Sequence, residues 1–254
     1  MKEFLKTVVY GSAELITAGR GIERKIGGES IRFPARYSRY YPSNYEPDLF
    51  QFLRENCKSG NTFLDCGAHF GLFSIVASRI VGDGGKVFSF EPSPDIRSIL
   101  ESLVELNGCT NVTVRPEAVS DKTGTATFFE TGADGSNANS LAKQEKHSQG
   151  VTVATVSVDD ITDDQGLFVN LLKVDVEGAE YALLKGAERT ITRCRPAIFL
   201  SLHPEAVEKT GASMTGIWEI LQQYNFNVSH LGKPAEKDWF VRQTGLFDVV
   251  CLSN

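Results

Sequence analysis

The segment Thr62–Gly71, TFLDCGAHFG, contains the pattern that decides the fold. Its first half is a run of strand-forming residues that ends in Asp65 and Cys66, and its second half is a turn that begins at Gly67 and ends at Gly71. An apolar stretch with helical periodicity follows at once. A strand, a glycine-rich turn and a helix in this order predict a ligand site, because the ligand can lie against bare backbone at the helix N-terminus.

The same alternation of strand and helix patterns continues along the chain from residue 60 and predicts an α/β sheet. The first five predicted strands are almost entirely apolar, as strands covered on both faces must be. The predicted strands are Thr62–Cys66, Lys86–Phe90, Val112–Arg115, Asn170–Val174, Ala197–Leu202, Phe226–His230 and Phe247–Leu252, and the predicted helices are Gly71–Val81, Pro94–Asn107, Ala179–Thr192 and Ser213–Tyr224.

Two regions fall outside this alternation. Residues 1–60 contain the aromatic-rich sequence RYSRYYPSNYEPDLF, where Pro42 and Pro47 disfavour a regular helix before Asp48, and we expect these residues to form an N-terminal cap on the sheet. Residues 61–254 are the predicted main domain. Within it, residues 124–158 are predicted to be a β-hairpin insertion, because GTATFFE and VTVATVSV alternate like an antiparallel pair around a polar tip.

Composition sets the protein class. The chain has 254 residues, 41% of them apolar and 23% charged, which is typical of a globular protein. A formal charge of −6 disfavours binding to a nucleic-acid backbone. The five cysteines have no zinc-site spacing and indicate a reducing compartment. Residues 1–20 show neither a signal-peptide core nor a membrane span, so we expect a cytoplasmic protein.

The glycine spacing distinguishes between cofactors. The dinucleotide motif GxGxxG places two glycines one residue apart, whereas Gly67 and Gly71 are four positions apart here. This spacing disfavours NAD. A carboxylate at the strand end, Asp65, suits a ligand with an ammonium group and no phosphate, which describes the methionine part of S-adenosylmethionine. The alternative is a tight turn in which Asp65 only caps the helix.

The next two strand ends supply further candidates for cofactor binding. The second predicted strand is followed by Glu91 and Pro92, and a carboxylate there can accept both hydroxyls of a ribose. Glu91 could instead be a favourable charge at a helix N-terminus. The third strand is followed by Glu117 and Ala118, where a side chain or a backbone amide could contact adenine.

Side chains after the fourth and fifth strands are candidates for catalysis. Asp175 and Glu177 point the same way if the strand continues through them, and could orient or deprotonate an acceptor. His203 ends the fifth strand at the same sheet edge and is a candidate base. Alternatively, Glu177 and Glu180 lie in the first turn of the next helix and favour its dipole, and His203 is structural.

These motifs resemble those of the FkbM-type methyltransferases, a branch of the class I S-adenosylmethionine-dependent enzymes. The matching segments run from Tyr45 to Pro204, and KVDVEGAE followed by LKGA is the most specific of them. The resemblance implies a Rossmann-like fold with a seven-stranded, mostly parallel sheet whose last strand is antiparallel. It also implies methyl transfer, usually to an oxygen, with acceptors among sugars and secondary metabolites. His69 and Ser201 depart from the family, where asparagine and glutamate are common.

Together these features predict an O-methyltransferase that acts on a hydroxylated small molecule such as a sugar or polyketide. We expect no metal, with magnesium held by Asp175 and Glu177 as the alternative. The rivals are a nicotinamide-dependent oxidoreductase and a non-catalytic S-adenosylmethionine-binding module. The predicted cofactor-binding residues are Asp65, Gly67, Ala68, His69, Gly71, Glu91, Pro92, Glu117, Ala118 and Asp175, the predicted catalytic residues are Asp175, Glu177 and His203, and the predicted acceptor-binding residues are Asn139, Ser140, Glu177 and His203.

The segment that contains Asn139 and Ser140 is polar and too long for a simple turn. We expect it to be a gate over the acceptor site, and a surface hairpin without a catalytic part is the alternative.

Overall fold

The computed structural model of the protein describes residues 19–130 and 149–253. The strands are β1 (Ile22–Ile26), β2 (Glu29–Phe33), β3 (Thr62–Cys66), β4 (Lys86–Phe90), β5 (Val112–Arg115), β6 (Ala118–Ser120), β7 (Gly124–Glu130), β8 (Gln149–Ser157), β9 (Leu171–Val174), β10 (Ala197–Leu202), β11 (Phe226–His230), β12 (Lys233–Pro234) and β13 (Phe247–Ser253). The helices are α1 (Pro47–Asn56), α2 (Leu72–Val81), α3 (Pro94–Leu106), α4 (Val158–Asp164), α5 (Glu180–Lys185), α6 (Glu188–Cys194), α7 (Pro204–Lys209), α8 (Met214–Gln223) and α9 (Lys237–Val241).

The central sheet has the predicted α/β architecture. Its strand order is β12-β11-β13-β10-β9-β3-β4-β5. Strands β5, β4, β3, β9 and β10 pair in parallel, and β13 is antiparallel to both β10 and β11. The mostly parallel sheet with an antiparallel last strand is therefore confirmed.

The central sheet differs from the prediction in its strand count, which is eight within the described residues and not seven. The additional strand is the two-residue β12, which pairs antiparallel with β11. Leu231 and Gly232 between them both have positive φ angles, 48° and 71°. Positive φ at both central residues of a two-residue turn folds the chain back tightly, so Lys233 lies opposite His230.

The predicted antiparallel pairing of GTATFFE with VTVATVSV is also confirmed. Strands β7 and β8 pair from Gly124 opposite Thr155 to Glu130 opposite Gln149. Strand β6 adds to β8 in parallel and completes a separate three-stranded sheet. The tip of this hairpin lies outside the described residues.

The predicted single helix Ala179–Thr192 is wrong, because the structure has two helices, α5 and α6, in its place. The buried carboxylate of Asp159 accepts hydrogen bonds from the backbone N–H groups of Arg189 and Thr190, at 3.0 and 2.7 Å. A side chain from another element thus caps the first turn of α6 and starts a new helix there. The spacing of apolar residues between 179 and 192 could not reveal this contact, because Asp159 lies about thirty residues earlier in the chain.

The core lies on both faces of the central sheet. Successive residues of β3 point to opposite sides, so that Phe63 packs in one apolar cluster and Leu64 in the other. The cluster around Phe63 includes Phe33 and Phe50 from the N-terminal segment together with residues of α2. Helices on both faces leave the carboxyl ends of the parallel strands uncovered, which is where α/β sheets bind ligands.

Across residues 19–130 and 149–253, no helix combines the length and apolar character that a bilayer crossing requires.

We predict that Gly186→Ala destabilises the protein by about 1–3 kcal/mol, as overpacking does. Gly186 ends α5 at φ −79°, which any residue adopts, but a Cβ atom there would collide with the backbone carbonyl oxygen of Ser120 in β6. Gly245 has no atom within 4 Å of its Cβ position, so Gly245→Ala is the matched control. Urea denaturation measures both variants, and equal midpoints would contradict the prediction.

Candidate active site

A cavity of about 220 Å³ lies at the carboxyl edge of the central sheet. The residues that follow β3, β4, β5, β9 and β10 contribute to its wall, together with parts of the N-terminal segment and of β13. The predicted site residues in this wall are Gly67, Ala68, His69, Glu91, Pro92, Glu117, Ala118, Asp175, Glu177 and His203. The predicted Asp65 and Gly71 are not part of it, and Asn139 and Ser140 lie outside the described residues.

Gly67 is placed by a close approach of two strands. It has a φ angle of 78°, and a Cβ atom there would collide with the backbone carbonyl oxygen of Asp175. The N–H groups of Gly67 and Ala68 both donate to the carbonyl oxygen of Phe90, at 3.1 and 3.0 Å. The turn is therefore fixed to the ends of β4 and β9. Gly71 instead permits packing of α2 against Leu100 of α3.

Asp65 supports the site from behind the cavity wall. Its carboxylate is fully buried, accepts a hydrogen bond from the Ser74 hydroxyl at 2.5 Å, and lies 3.3 Å from the ammonium group of Lys173. Lys173 also donates to the carbonyl oxygen of Gly67 at 2.8 Å and lies 3.4 Å from the Asp175 carboxylate. Burial alone would lower the pKa of Lys173, but the charges of Asp65 and Asp175 outweigh burial and raise that pKa.

Lys173 is not among the site residues predicted from the sequence, although it interrupts the otherwise apolar strand LLKV. A single charged residue within a strand covered on both faces is the signal that could have identified it, because such a charge needs a buried partner.

Glu91 lies in the cavity wall at the end of β4 and is 6% exposed. Its carboxylate oxygens accept one backbone N–H each, from His69 and from Ser93, both at 3.0 Å. Burial raises the pKa of Glu91 to about 7, although these two hydrogen bonds favour the charged form. Each oxygen retains a second acceptor position for a ligand hydroxyl.

The far end of the cavity, beyond Glu91, combines an ion pair with an apolar wall. Arg115 donates to Glu117 at 2.6 and 3.1 Å, and this hydrogen bonding lowers the pKa of the Glu117 carboxyl. Ala118, Ile96 and Phe128 provide apolar surface next to it. A flat aromatic group of a ligand could pack against this wall.

Asp175, Glu177 and His203 meet as the sequence predicts. The Nε2 atom of His203 lies 3.8 Å from a carboxylate oxygen of Asp175 and 3.4 Å from one of Glu177. Each of the three offers a ligand atom within 4.8 Å of the others, so the group has a geometry that can hold a cation. Burial raises the pKa of Glu177 to about 7, with a further contribution from Asp175, against the opposing effect of His203.

Glu180 holds the other side of the His203 ring. Its fully buried carboxylate lies 2.8 Å from Nδ1 of His203 and accepts the backbone N–H of Gly178 at 3.0 Å. Burial opposes the charged imidazole, but the hydrogen bond to Glu180 and the charge of Glu177 raise the pKa of His203 to about 9. Glu180 is the first residue of α5, so its position in the first helical turn coexists with the contact to His203.

The N-terminal segment and β13 complete the cavity with residues that were not singled out in the sequence. Tyr41, Tyr45 and Glu46 precede α1, and Asp248 lies in β13 opposite Ser201 of β10. Burial raises the pKa of Asp248, and the Ser201 side chain opposes this shift. Ser201 on β10 stands where glutamate is common in the family that the sequence resembles. The neighbouring antiparallel strand β13 places the carboxylate of Asp248 opposite this position.

Backbone strain is concentrated around this cavity. Of the six non-glycine residues with positive φ in the described ranges, three line the cavity: Glu46 at 35°, His69 at 51° and Glu177 at 50°. Such conformations cost free energy and persist at sites where the surrounding structure imposes them. Their position supports a functional role for the cavity.

Comparison with known proteins identifies the family of this chain. The family model described as the methyltransferase FkbM domain matches residues 65–228, which is more than half of the chain. The protein belongs to the FkbM methyltransferase family.

Two curated relatives match about half of the chain. The hexuronic acid methyltransferase AglP of Haloferax volcanii is 26% identical over 144 residues, 56% of either chain. The methyltransferase sdnD of Sordaria araneosa is 31% identical over 163 residues, 52% of this chain and 62% of that protein. The chain therefore spans less than two thirds of the length of either relative.

Solved structures share the fold at low sequence identity. A precorrin-6y C5,15-methyltransferase from Geobacter metallireducens GS-15 superposes with a TM-score of 0.50 at 12% identity, over 85% of this chain and 92% of that one. A methyltransferase FkbM from Methylobacillus flagellatus KT has a TM-score of 0.49 at 18% identity, over 76% of this chain and 44% of that one. The superposition on the precorrin-6y methyltransferase agrees with a class I methyltransferase fold.

We predict that the cluster of Glu177 and His203 makes the ligand-free protein less stable as the pH rises. Unfolded chains release the Glu177 proton near pH 4.5 and the His203 proton near pH 6.5, whereas the folded protein keeps them to about 7 and about 9. The folded state then binds more protons across this range, so stability present at low pH is lost as pH increases.

Melting temperatures of the ligand-free protein, measured from about pH 5 to pH 9 where these groups titrate, check this prediction. The melting temperature of Glu177→Gln should fall less steeply with pH than that of the parent, because the variant lacks a carboxyl group whose pKa is raised in the folded protein. Glu205→Gln, at an exposed position in α7, is the control and should follow the parent. Equal slopes for Glu177→Gln and the parent would refute the assignment.

Proposed function

We propose that the protein is an S-adenosylmethionine-dependent O-methyltransferase that acts on a hydroxyl group of a sugar, a polyketide or another secondary metabolite. The observation that carries this proposal is one cavity with two chemically different ends. One end has the glycine turn and the Glu91 carboxylate, and the other has Asp175, Glu177 and His203. Membership of the FkbM methyltransferase family supports the same reaction.

The residues of the first end fit the cofactor. The collision at a Cβ of Gly67 means that this position admits only bare backbone, against which the methionine part can lie. Glu91 would accept the ribose hydroxyls, and Ile96 and Phe128 would pack against adenine. Because Asp65 is occupied by Ser74 and Lys173, we assign the methionine ammonium group to Asp175, whose side chain is 28% exposed.

S-adenosylmethionine, when bound, supplies a methyl group on a positively charged sulfur that leaves as a neutral thioether. The protein then has two tasks, which are to align the acceptor oxygen with the methyl carbon and to take up the hydroxyl proton. Alignment of two reactants in one cavity accounts for most of the expected acceleration. Proton uptake makes the smaller contribution, because the leaving group needs no protonation.

The carboxylates and His203 divide the second task. In the ligand-free protein His203 is the cationic partner at neutral pH, since its pKa is about 9, and Glu177 ionises near pH 7. Glu177 is therefore poised to accept the hydroxyl proton directly. A cationic ligand in the cavity lowers the pKa of His203, which enables the imidazole to accept it as well.

We predict that Glu91→Ala weakens binding of S-adenosylhomocysteine by about 10-fold or more, because each lost hydrogen bond to a charged group is worth about 1.5–3 kcal/mol. The thermal shift caused by S-adenosylhomocysteine should decrease accordingly. Glu101→Ala, at an exposed position of α3, is the matched control. An unchanged dissociation constant in Glu91→Ala would remove the ribose assignment.

We predict that His203→Ala and Glu177→Gln retain the affinity for S-adenosylhomocysteine but lower turnover, by about 100-fold or more for the residue that acts as the base. Turnover is measured with methyl-labelled S-adenosylmethionine, a panel of sugars, phenols and polyketide alcohols, and mass spectrometry of the products. Asp164→Asn, at an exposed position of α4, is the control.

Three outcomes would contradict parts of this proposal. Tight cofactor binding without any labelled product across the panel would favour a binding module. Label on nitrogen or carbon would contradict O-methyl transfer. Activity that is lost with a chelator and restored by magnesium would make Asp175, Glu177 and His203 cation ligands.

A further inference from the structure

The cavity as a whole has an unbalanced charge. Its wall includes six carboxylate residues but one lysine and no arginine among the described residues. Four of these carboxylates have a counterpart, either in the protein or in the proposed cofactor. Glu117 pairs with Arg115, Asp175 with Lys173, Glu177 with His203, and Glu91 faces the ribose position.

The two carboxylates that remain are Glu46 and Asp248. In the part of the chain that the structure describes, neither lies within 4.0 Å of a cationic side chain. Glu46 interacts with the Tyr45 side chain and Asp248 with the Ser201 side chain, both of which are neutral. Burial raises the pKa of Glu46 to about 7 and also raises that of Asp248. Both carboxylates are thus partly desolvated, and among the described residues neither has a cationic side chain in direct contact.

Their place in the fold separates Glu46 and Asp248 from the cofactor end. Along the sheet edge the order β13-β10-β9-β3-β4-β5 puts Asp248 at one side and Glu117, which follows β5, at the other. Glu46 precedes α1 and is close enough to Asp248 and Asp175 for their charges to act on it. The pair therefore lies on the acceptor side of Asp175.

We propose that the acceptor carries a protonated amine close to the hydroxyl that is methylated, and that Glu46 and Asp248 bind this amine. This inference rests on the proposed methyl transfer and adds the chemical class of the acceptor to it. A carboxylate or phosphate on the acceptor would meet like charges in a partly desolvated wall, which is unfavourable. An ammonium group supplies both the missing charge and up to three hydrogen-bond donors.

Lys173 offers no competing anion site. Its ammonium group is 3% exposed and already contacts Gly67, Asp65 and Asp175. An acid group of an acceptor would have to displace one of these buried contacts, so the wall selects against anions as well as for cations.

The test uses binding to the complex with S-adenosylhomocysteine, which does not depend on turnover. The probes are the methyl glycosides of glucosamine, glucose and glucuronic acid, which share a ring and differ in one charged group each. We expect the glucosamine derivative to bind about 10-fold or more tightly than the glucose derivative by calorimetry, and the glucuronic acid derivative to bind weakest.

The double variant Glu46→Gln and Asp248→Asn should remove the preference for the amine and keep the affinity for S-adenosylhomocysteine. Its melting temperature, compared with that of the parent, controls for folding. Equal binding of the amino and neutral probes, tighter binding of the uronic acid, or no binding of the amine overturns the inference. Failure to bind S-adenosylhomocysteine at all would instead contradict the proposed function, so the two failures are distinguishable.

Discussion

The buried ammonium group of Lys173 is the interaction on which the rest of the site depends. It joins Asp65 on β3, the carbonyl oxygen of Gly67 in the turn, and Asp175 after β9. A buried charge of this kind is tolerated only when its partners are present, and removal of one partner leaves an uncompensated charge that costs about 3–5 kcal/mol. The central strands, the glycine turn and the Asp175 carboxylate are therefore held in one fixed arrangement.

On either side of Lys173, the chemical character of the cavity wall changes along the sheet edge. Towards β5 the wall becomes apolar and presents Glu91 with its oxygens already anchored by backbone N–H groups. Towards β13 the wall becomes acidic, and His203 is the cation that balances part of it. Since parallel strands end at the same edge, the proposed donor at one side and the proposed acceptor at the other would meet near Asp175.

Much of the fold could be predicted because short apolar strands and periodic helices are local patterns. β3, β4, β5 and β10 lie where the sequence predicts them, and the glycine turn was recognised from Gly67 and its neighbours. The division between α5 and α6 could not be predicted, since the carboxylate of Asp159 that caps α6 comes from a distant part of the chain.

The candidate site shows the same limit. Residues at strand ends, such as Glu91 and His203, could be selected because the topology brings strand ends together. Glu46 and Asp248 could not, because only the folded chain places the N-terminal segment and β13 over this edge. The sequence predicts Asp65 as a cofactor-binding residue because it is a charge at a strand end, but its burial behind Lys173, outside the cavity wall, depends on packing that no spacing reveals.

The strained backbone at Glu46, His69 and Glu177 has a consequence for protein engineering. A left-handed conformation costs an ordinary residue about 1–2 kcal/mol, and glycine avoids that cost. Selection for thermal resistance would therefore favour glycine at these three positions. Such a library would be enriched in heat-resistant proteins that lack three side chains of the candidate active site, so heat tolerance would be a misleading criterion for selecting variants of this site.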